Sequence, residues 1–232
     1  MAGMTVSPDE IARFDALAAR WWDPDGPMRP LHRMNRVRVQ WIVDRIRDLS
    51  PSSLLDAGCG AGLLAEALAR KGFNVLGLDA AGEAIETARA HAANQDLPLT
   101  YRVGAPEDLV AEGARFPVVT ALEVIEHVPD PGAFVASLAT LLTPGGRLFL
   151  STLNRTPQSF LAAKVGAEYL LRWLPIGTHD WRKFVTPAEL AAVLRQAGLQ
   201  VTDIAGLVVD PLTGRWRTSR NLSVNYIVAA AG

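Results

Sequence analysis

The sequence predicts an α/β fold: a mostly parallel central sheet with helices on both faces. Short apolar runs alternate with helical patterns through the middle of the chain. A glycine-rich loop, Leu54–Gly62 (LLDAGCGAG), joins one such run to a helix, and the next run ends on an acidic residue, Asp79. Continuous apolar runs separated by helices are the mark of strands buried on both faces, which is how parallel sheets are built.

The elements follow in order. Residues 8–49 read as two helices around a Pro-rich break, Asp23–Pro30. Ser53–Asp56 is a first strand, followed by the Gly-rich turn and a helix through about Lys71. Asn74–Asp79 is a second strand, with a helix over Gly82–Ala93. Leu99–Val103, Val118–Leu122 and Arg147–Ser151 are further strands. A helix over Gly132–Leu142 joins the last two, and the turn Pro144-Gly145-Gly146 introduces the final one. Residues 157–174 and Pro187–Gln196 read as helices, and the tail carries two β-rich runs, Leu199–Val209 and Leu222–Ala230. No repeat or low-complexity linker divides the 232 residues. One domain, 1–232, is expected, with a helical cap (1–50), a cofactor-binding core (51–156), a helical insertion or lid (157–187) and a C-terminal completion of the sheet (188–232).

Composition excludes some functions. Twenty-three basic residues against twenty-four acidic ones leave a net charge of -1, so nothing draws the chain globally to nucleic acid. Cys59 is the single cysteine, so no internal disulfide can form, in keeping with a reducing compartment. The opening residues, MAGMTVSPDE, are neither a secretory signal nor a transit peptide, and no stretch has the apolar length of a membrane span. A cytoplasmic location is expected, with peripheral attachment to the inner face of the cytoplasmic membrane left open.

Within the loop, Gly58, Gly60 and Gly62 let the backbone turn sharply and approach a ligand with no Cβ in the way. Asp79, at the end of the second strand, is placed to receive the two ribose hydroxyls of an adenosine. A dinucleotide site would need G-x-G-x-x-G and a helix N-terminus aimed at a pyrophosphate. Here Leu63 stands where that motif wants glycine. Asp56, just before the loop, disfavours a pyrophosphate and suits a ligand with a cationic ammonium end. The pattern resembles motif I of the Rossmann-like, S-adenosylmethionine-dependent methyltransferases. The plain alternative is a Gly-rich turn with no ligand, and the carboxylate of Asp79 at the next strand end weighs against it.

The segment LEVIEHVPDP places Glu123, Glu126 and His127 after the fourth strand. If Glu123–His127 begins a helical turn, spacings of three and four put all three on one face. They could hold a divalent cation such as magnesium, His127 could act as a general base, or the group could be structural, with His127 packed and Glu126 in an ion pair.

Three longer strings are more specific: FDALAARWWDPDGPMRPLHRMNRVR (Phe14–Arg38), STLNRTPQSF (Ser151–Phe160) and VGAEYLLRWLPIGTHDWRKFVTPAEL (Val165–Leu190). With LEVIEHVPDP they resemble the ubiquinone-biosynthesis O-methyltransferase family over nearly the whole chain. The resemblance implies S-adenosylmethionine as methyl donor. It implies a polyprenyl catechol and a demethylubiquinol as substrates, methylated on ring hydroxyls in two pathway steps. It places Arg38, Gly58, Asp79 and Leu122 at the cofactor, and Glu123, Glu126 and His127 as magnesium ligands. Arg36 stands where the family has proline, and neither Ala105 nor Pro106 is the Asp that many members use there to reach an adenine amine, so adenine recognition is left to backbone and apolar contact. Pro117, where relatives often carry Asp, is neutral at a strand start. Two other readings remain: a methyltransferase for another small phenol, and a non-catalytic, cofactor-binding scaffold in a complex of quinone-synthesis proteins.

A phenol with a pKa of about 10 needs a base or a cation to ionise at neutral pH. Magnesium-assisted deprotonation at Glu123, Glu126 and His127 is therefore expected over His127 acting alone. Of Trp21 and Trp22, one is expected to anchor the N-terminal helix and the other to cover the substrate ring. The stretch 160–185 mixes Trp173 and Trp181 with Lys164, Arg172, Arg182 and Lys183, which suits a lid, a membrane-contacting foot, or both.

Overall fold

The structure is a computed structural model, and it describes residues 7–49, 53–161, 181–210 and 213–232. Strands β1 (Ser53–Ala57), β2 (Asn74–Asp79), β3 (Leu99–Val103), β4 (Phe116–Leu122), β5 (Leu142–Leu153), β6 (Gln200–Val209), β7 (Trp216–Ser219) and β8 (Asn225–Ala231) form one sheet. Their spatial order is β3-β2-β1-β4-β5-β8-β6-β7. The first five are parallel neighbours. β8 inserts antiparallel between β5 and β6, and β7 closes the edge as a hairpin partner of β6. The order reverses at β1, and in such sheets ligands bind at the strand C-termini beside that switch point.

The helices are α1 (Pro8–Leu17), α2 (Arg29–Arg45), α3 (Leu63–Ala69), α4 (Gly82–Ala92), α5 (Pro106–Ala111), α6 (Pro131–Thr140), α7 (Pro157–Ser159) and α8 (Pro187–Gln196). Side chains alternate along each strand, so neighbouring residues enter opposite cores. Leu55, Val119 and Leu148 pack with Phe134, Leu138, Leu190 and Leu194 of α6 and α8. Leu54, Val118 and Phe149 pack with Trp41 and Ile42 of α2 and Leu64 and Leu68 of α3. Near-continuous apolar strands are thus explained by two covered faces. Asp130 caps α6 through the Ala133 N–H, and Thr186 with Glu189 forms a capping box on α8.

The differences from the expected elements are instructive. The break before α2 ends at Met28, because Pro30 sits in the first helical turn, where its missing N–H costs nothing. β5 begins at Leu142 and runs through the Pro144–Gly146 turn as an irregularity in the pairing, which jumps from Phe116↔Leu142 to Val118↔Arg147. β7 was not expected: its four residues, WRTS, carry no apolar run, and only pairing with β6 makes them a strand. Most of the 160–185 stretch, including Lys164, Arg172, Trp173 and the GTHD string, lies outside the described residues.

Candidate active site

The Gly-rich loop leaves β1 at the switch point. Gly58, Gly60 and Gly62 all have positive φ (72°, 53° and 87°), a region other residues enter at a cost. Space imposes the same choice. A Cβ on Gly60 would stand 2.2 Å from Cζ2 of Trp21, and one on Gly58 2.4 Å from Cγ2 of Val124. Cys59 between them is buried, and burial pushes its thiol up, so it is a packed side chain with no accessible thiolate.

Two carboxylates flank the loop. Asp79 accepts the Gly60 N–H through Oδ2 at 2.7 Å and the Ala81 N–H through Oδ1 at 2.8 Å. Each oxygen keeps a lone pair free for a hydroxyl. Asp56 is 2% exposed; its Oδ1 accepts from the Thr120 hydroxyl at 2.7 Å, while Oδ2 is buried without a partner. Burial pushes the Asp56 carboxyl up to about 7, with the charge of Asp79 adding to it and the Thr120 bond and Arg38 opposing. A buried acceptor with nothing to accept is costly in a resting protein. It is what a cationic ligand would satisfy, so the cradle fits an adenosine with an aminoacyl end.

Beyond β4 the chain takes an unusual path. Glu123 has φ 57° although it is not glycine, a backbone cost of the kind that concentrates at functional positions. The turn aims its carboxylate inward. Oε1 takes the Arg38 guanidinium at 2.5 Å, the Ser151 hydroxyl at 2.7 Å and the Asn225 amide at 3.1 Å. Arg38, expected at the cofactor, is buried in this ion pair, and its Nε has no partner. The helical turn covers only Ile125–His127. Glu123 therefore stands outside it, and the one-face argument from spacing does not apply to Glu123.

Glu126 is 4% exposed, and its Oε2 accepts from the Thr152 hydroxyl at 2.9 Å. Burial pushes its carboxyl up to about 7, and the charge of Glu123 pushes the same way. His127 turns toward α1: its Nδ1 lies 3.1 Å from Oε2 of Glu10, and Phe14 meets its ring edge-on with centroids 5.2 Å apart. Burial pulls the imidazole down, but the Glu10 bond and the carboxylates of Glu126, Glu10 and Glu123 outweigh it and raise it above 6.5. Among the described residues, no group of three or more His, Cys, Asp or Glu side chains is arranged to hold a metal ion. Arg38 already neutralises Glu123, Thr152 engages Glu126 and Glu10 engages His127, so the expected magnesium set does not fit this arrangement.

Leu122, Glu123, Glu126 and His127 share one cavity with Gly58, Gly60 and Asp79, of about 520 Å³. Met28, Met34, Leu207, Val209 and Trp216 add apolar lining to it, whereas Arg38, Asp56 and Gly62 do not line it. Such a volume holds a cofactor-sized ligand together with an apolar partner. The two tryptophans divide their work. Trp22 stacks on His91 (3.5 Å, 5°) and donates to the Ala61 carbonyl at 3.0 Å, anchoring the N-terminal segment to the loop. Trp21 lines the cavity, and its buried indole N–H has no partner.

Sequence reasoning missed Glu10, Thr120, Ser151, Thr152 and Asn225. Ser151 and Thr152 sit near the end of β5 and Asn225 at the start of the antiparallel β8, beside Glu123 and Glu126, and polar residues at the ends of apolar strands were an available signal. Glu10 left none, since an acidic residue in the first turn of a helix reads as ordinary.

Comparison with known proteins fixes the family. The methyltransferase-domain family model matches residues 31–204. The chain is 52% identical to the ubiquinone biosynthesis O-methyltransferase of Methylobacterium nodulans, covering 98% of this chain and 96% of that one. It is 49% identical to the protein of the same name from Cereibacter sphaeroides, covering 99% and 98%. Among solved structures it is similar to magnesium protoporphyrin IX methyltransferase from Synechocystis with bound SAH. The TM-score there is 0.60 at 22% identity, over 86% of this chain and 81% of that chain. The fold is that of the Rossmann-like S-adenosylmethionine-dependent methyltransferases, and the chain belongs to the ubiquinone biosynthesis O-methyltransferase family.

Proposed function

We propose that this enzyme O-methylates ring hydroxyls of polyprenyl catechol and demethylubiquinol intermediates, using S-adenosylmethionine. The observation that carries the reading is the single cavity, which Gly58, Gly60, Asp79, Glu126 and His127 line together with apolar residues such as Met34, Leu207 and Trp216. Gly58 and Gly60 admit the donor, Asp79 takes the ribose hydroxyls, and the buried Asp56 supplies the negative charge that draws the ammonium. Leu122 lies against it, and adenine is left to Gly104 and Pro106, which line the same cavity. Bound there, S-adenosylmethionine supplies an activated sulfonium methyl; the oxygen lone pair closes the C–O bond as the C–S pair stays on sulfur. The walls hold the two reactants at reacting distance and exclude water. His127 accepts the hydroxyl proton. Met28, Met34, Leu207, Val209 and Trp216 receive the first part of the prenyl chain. Exposed Leu161 and Phe160, the latter edge-on to Trp181, support contact with the bilayer that carries such substrates.

The family resemblance carries a second reading of the proton step, in which a magnesium ion, if held by Glu123, Glu126 and His127, would acidify the hydroxyl. Because the three do not stand as a ligand set, the expected result is that a chelator leaves the rate within about twofold, whereas loss restored by magnesium would favour the second reading. In the same assay a prenylated catechol is expected to exceed its unprenylated analogue in kcat/KM by at least about tenfold, since each buried methylene is worth about 0.8 kcal/mol. Equal rates would point to another small phenol.

Donor binding should depend on pH with a definite sign. In the free protein the Asp56 carboxyl sits at about 7, so below that pH it is protonated and must ionise to receive an ammonium. Affinity for S-adenosylmethionine, measured by calorimetry, is expected to fall by up to about tenfold per pH unit below 7. A pH-independent affinity between 5.5 and 7 would remove Asp56 from the ammonium contact.

A further inference from the structure

We infer that Glu10, on the N-terminal helix, is the positioning residue for His127: its carboxylate holds the imidazole by Nδ1 and leaves Nε2 as the proton acceptor. The inference rests on the reading of His127 as the base. A carboxylate oxygen accepts a hydrogen bond, so the 3.1 Å contact places the hydrogen on Nδ1. That fixes the tautomer, and Nε2 then carries the lone pair, as a carboxylate does for an imidazole in other acid–base pairs.

The pairing is built, not incidental. Glu10 is 8% exposed, a depth at which a carboxylate is found only when it is paired. Its other oxygen, Oε1, takes Nζ of Lys183 at 3.2 Å, and Arg13 lies 3.5 Å from Oε2. Phe14, one turn further along α1, closes on the edge of the same imidazole. Glu10 and Phe14 are on one helical face, so α1 grips His127 by its nitrogen and its ring together. Glu10 thus ties together three segments distant in sequence: the N-terminal helix, the turn after β4, and the Trp181–Lys183 turn that follows the insertion. The base is oriented only while α1 is seated over the cavity that it helps to line.

The test uses the full-length chain. Glu10→Gln is expected to lower kcat about 10–100-fold, with KM for a prenyl catechol and affinity for S-adenosylmethionine within about twofold of wild type. In a His127→Asn background the same change is expected to have no further effect on single-turnover rate, because the group it positions is gone. Nitrogen-15 shifts of His127, recorded on the wild type at a pH where the ring is neutral, are expected to show hydrogen on Nδ1. An unchanged kcat, an equal loss in both backgrounds, or hydrogen on Nε2 in the wild type would overturn the inference. If Glu10→Gln does not fold, the wild-type tautomer decides. That readout needs no substrate, so an Nδ1–H ring in a chain that fails to methylate prenyl catechols would count against the substrate reading and leave the pairing standing.

Discussion

His127→Asn is expected to lower kcat about 10²–10⁴-fold, the usual worth of a positioned general base, while affinity for S-adenosylmethionine stays near wild type. The imidazole lies beyond the glycine cradle and touches Glu10 and Phe14, so its loss removes a proton acceptor without disturbing the donor's contacts. The sign of the pH dependence follows. Only the neutral ring accepts a proton, and the Glu10 bond with the surrounding carboxylates raises the imidazole despite its burial. The wild-type rate is therefore expected to climb with pH through a value above 6.5, and the variant to lose that limb. A variant that keeps both rate and limb would move the proton to another acceptor, such as the buried Glu126 that lines the same cavity.

Asp79→Ala is expected to weaken S-adenosylmethionine binding about 100-fold. Two effects add. The carboxylate fixes the loop by accepting from Gly60 at 2.7 Å and Ala81 at 2.8 Å, and it offers its remaining lone pairs to the ribose. Hydrogen bonds to a charged group are worth about 1.5–3 kcal/mol each, and a loss of about 2.7 kcal/mol is a hundredfold. Calorimetry measures it, with circular dichroism to show the chain folded. A change below about threefold would mean that the ribose is held elsewhere. Asp56 and Asp79 also carry a cost. Burial raises both carboxyls, so the stability each contributes is present below its unfolded value of 3.8 and lost as pH rises through its folded one. For Asp56 that window runs from 3.8 to about 7.

The core was legible because its physics is local. Leu54–Ala57, Asn74–Asp79 and Val118–Leu122 are short apolar runs, and runs of that length between glycine turns have few other ways to be buried. The glycine loop was legible because positive φ and close approach leave few alternatives to glycine. What failed to show depends on contacts far apart in sequence. β7 exists through its pairing with β6. The inward turn of Glu123 follows from a backbone angle that no spacing rule reports, and it joins Arg38 from α2 with Asn225 from β8. The proximity of Glu10 to His127 spans 117 positions, and nothing in an acidic first helical turn announces it.

Methyl transfer itself is the most direct test. The purified chain, given labelled S-adenosylmethionine and either a short-chain prenyl catechol or the corresponding demethylubiquinol, is expected to place the label on a ring oxygen of each. Binding of S-adenosylmethionine with no labelled product from either would contradict the account and return the chain to a cofactor-binding scaffold.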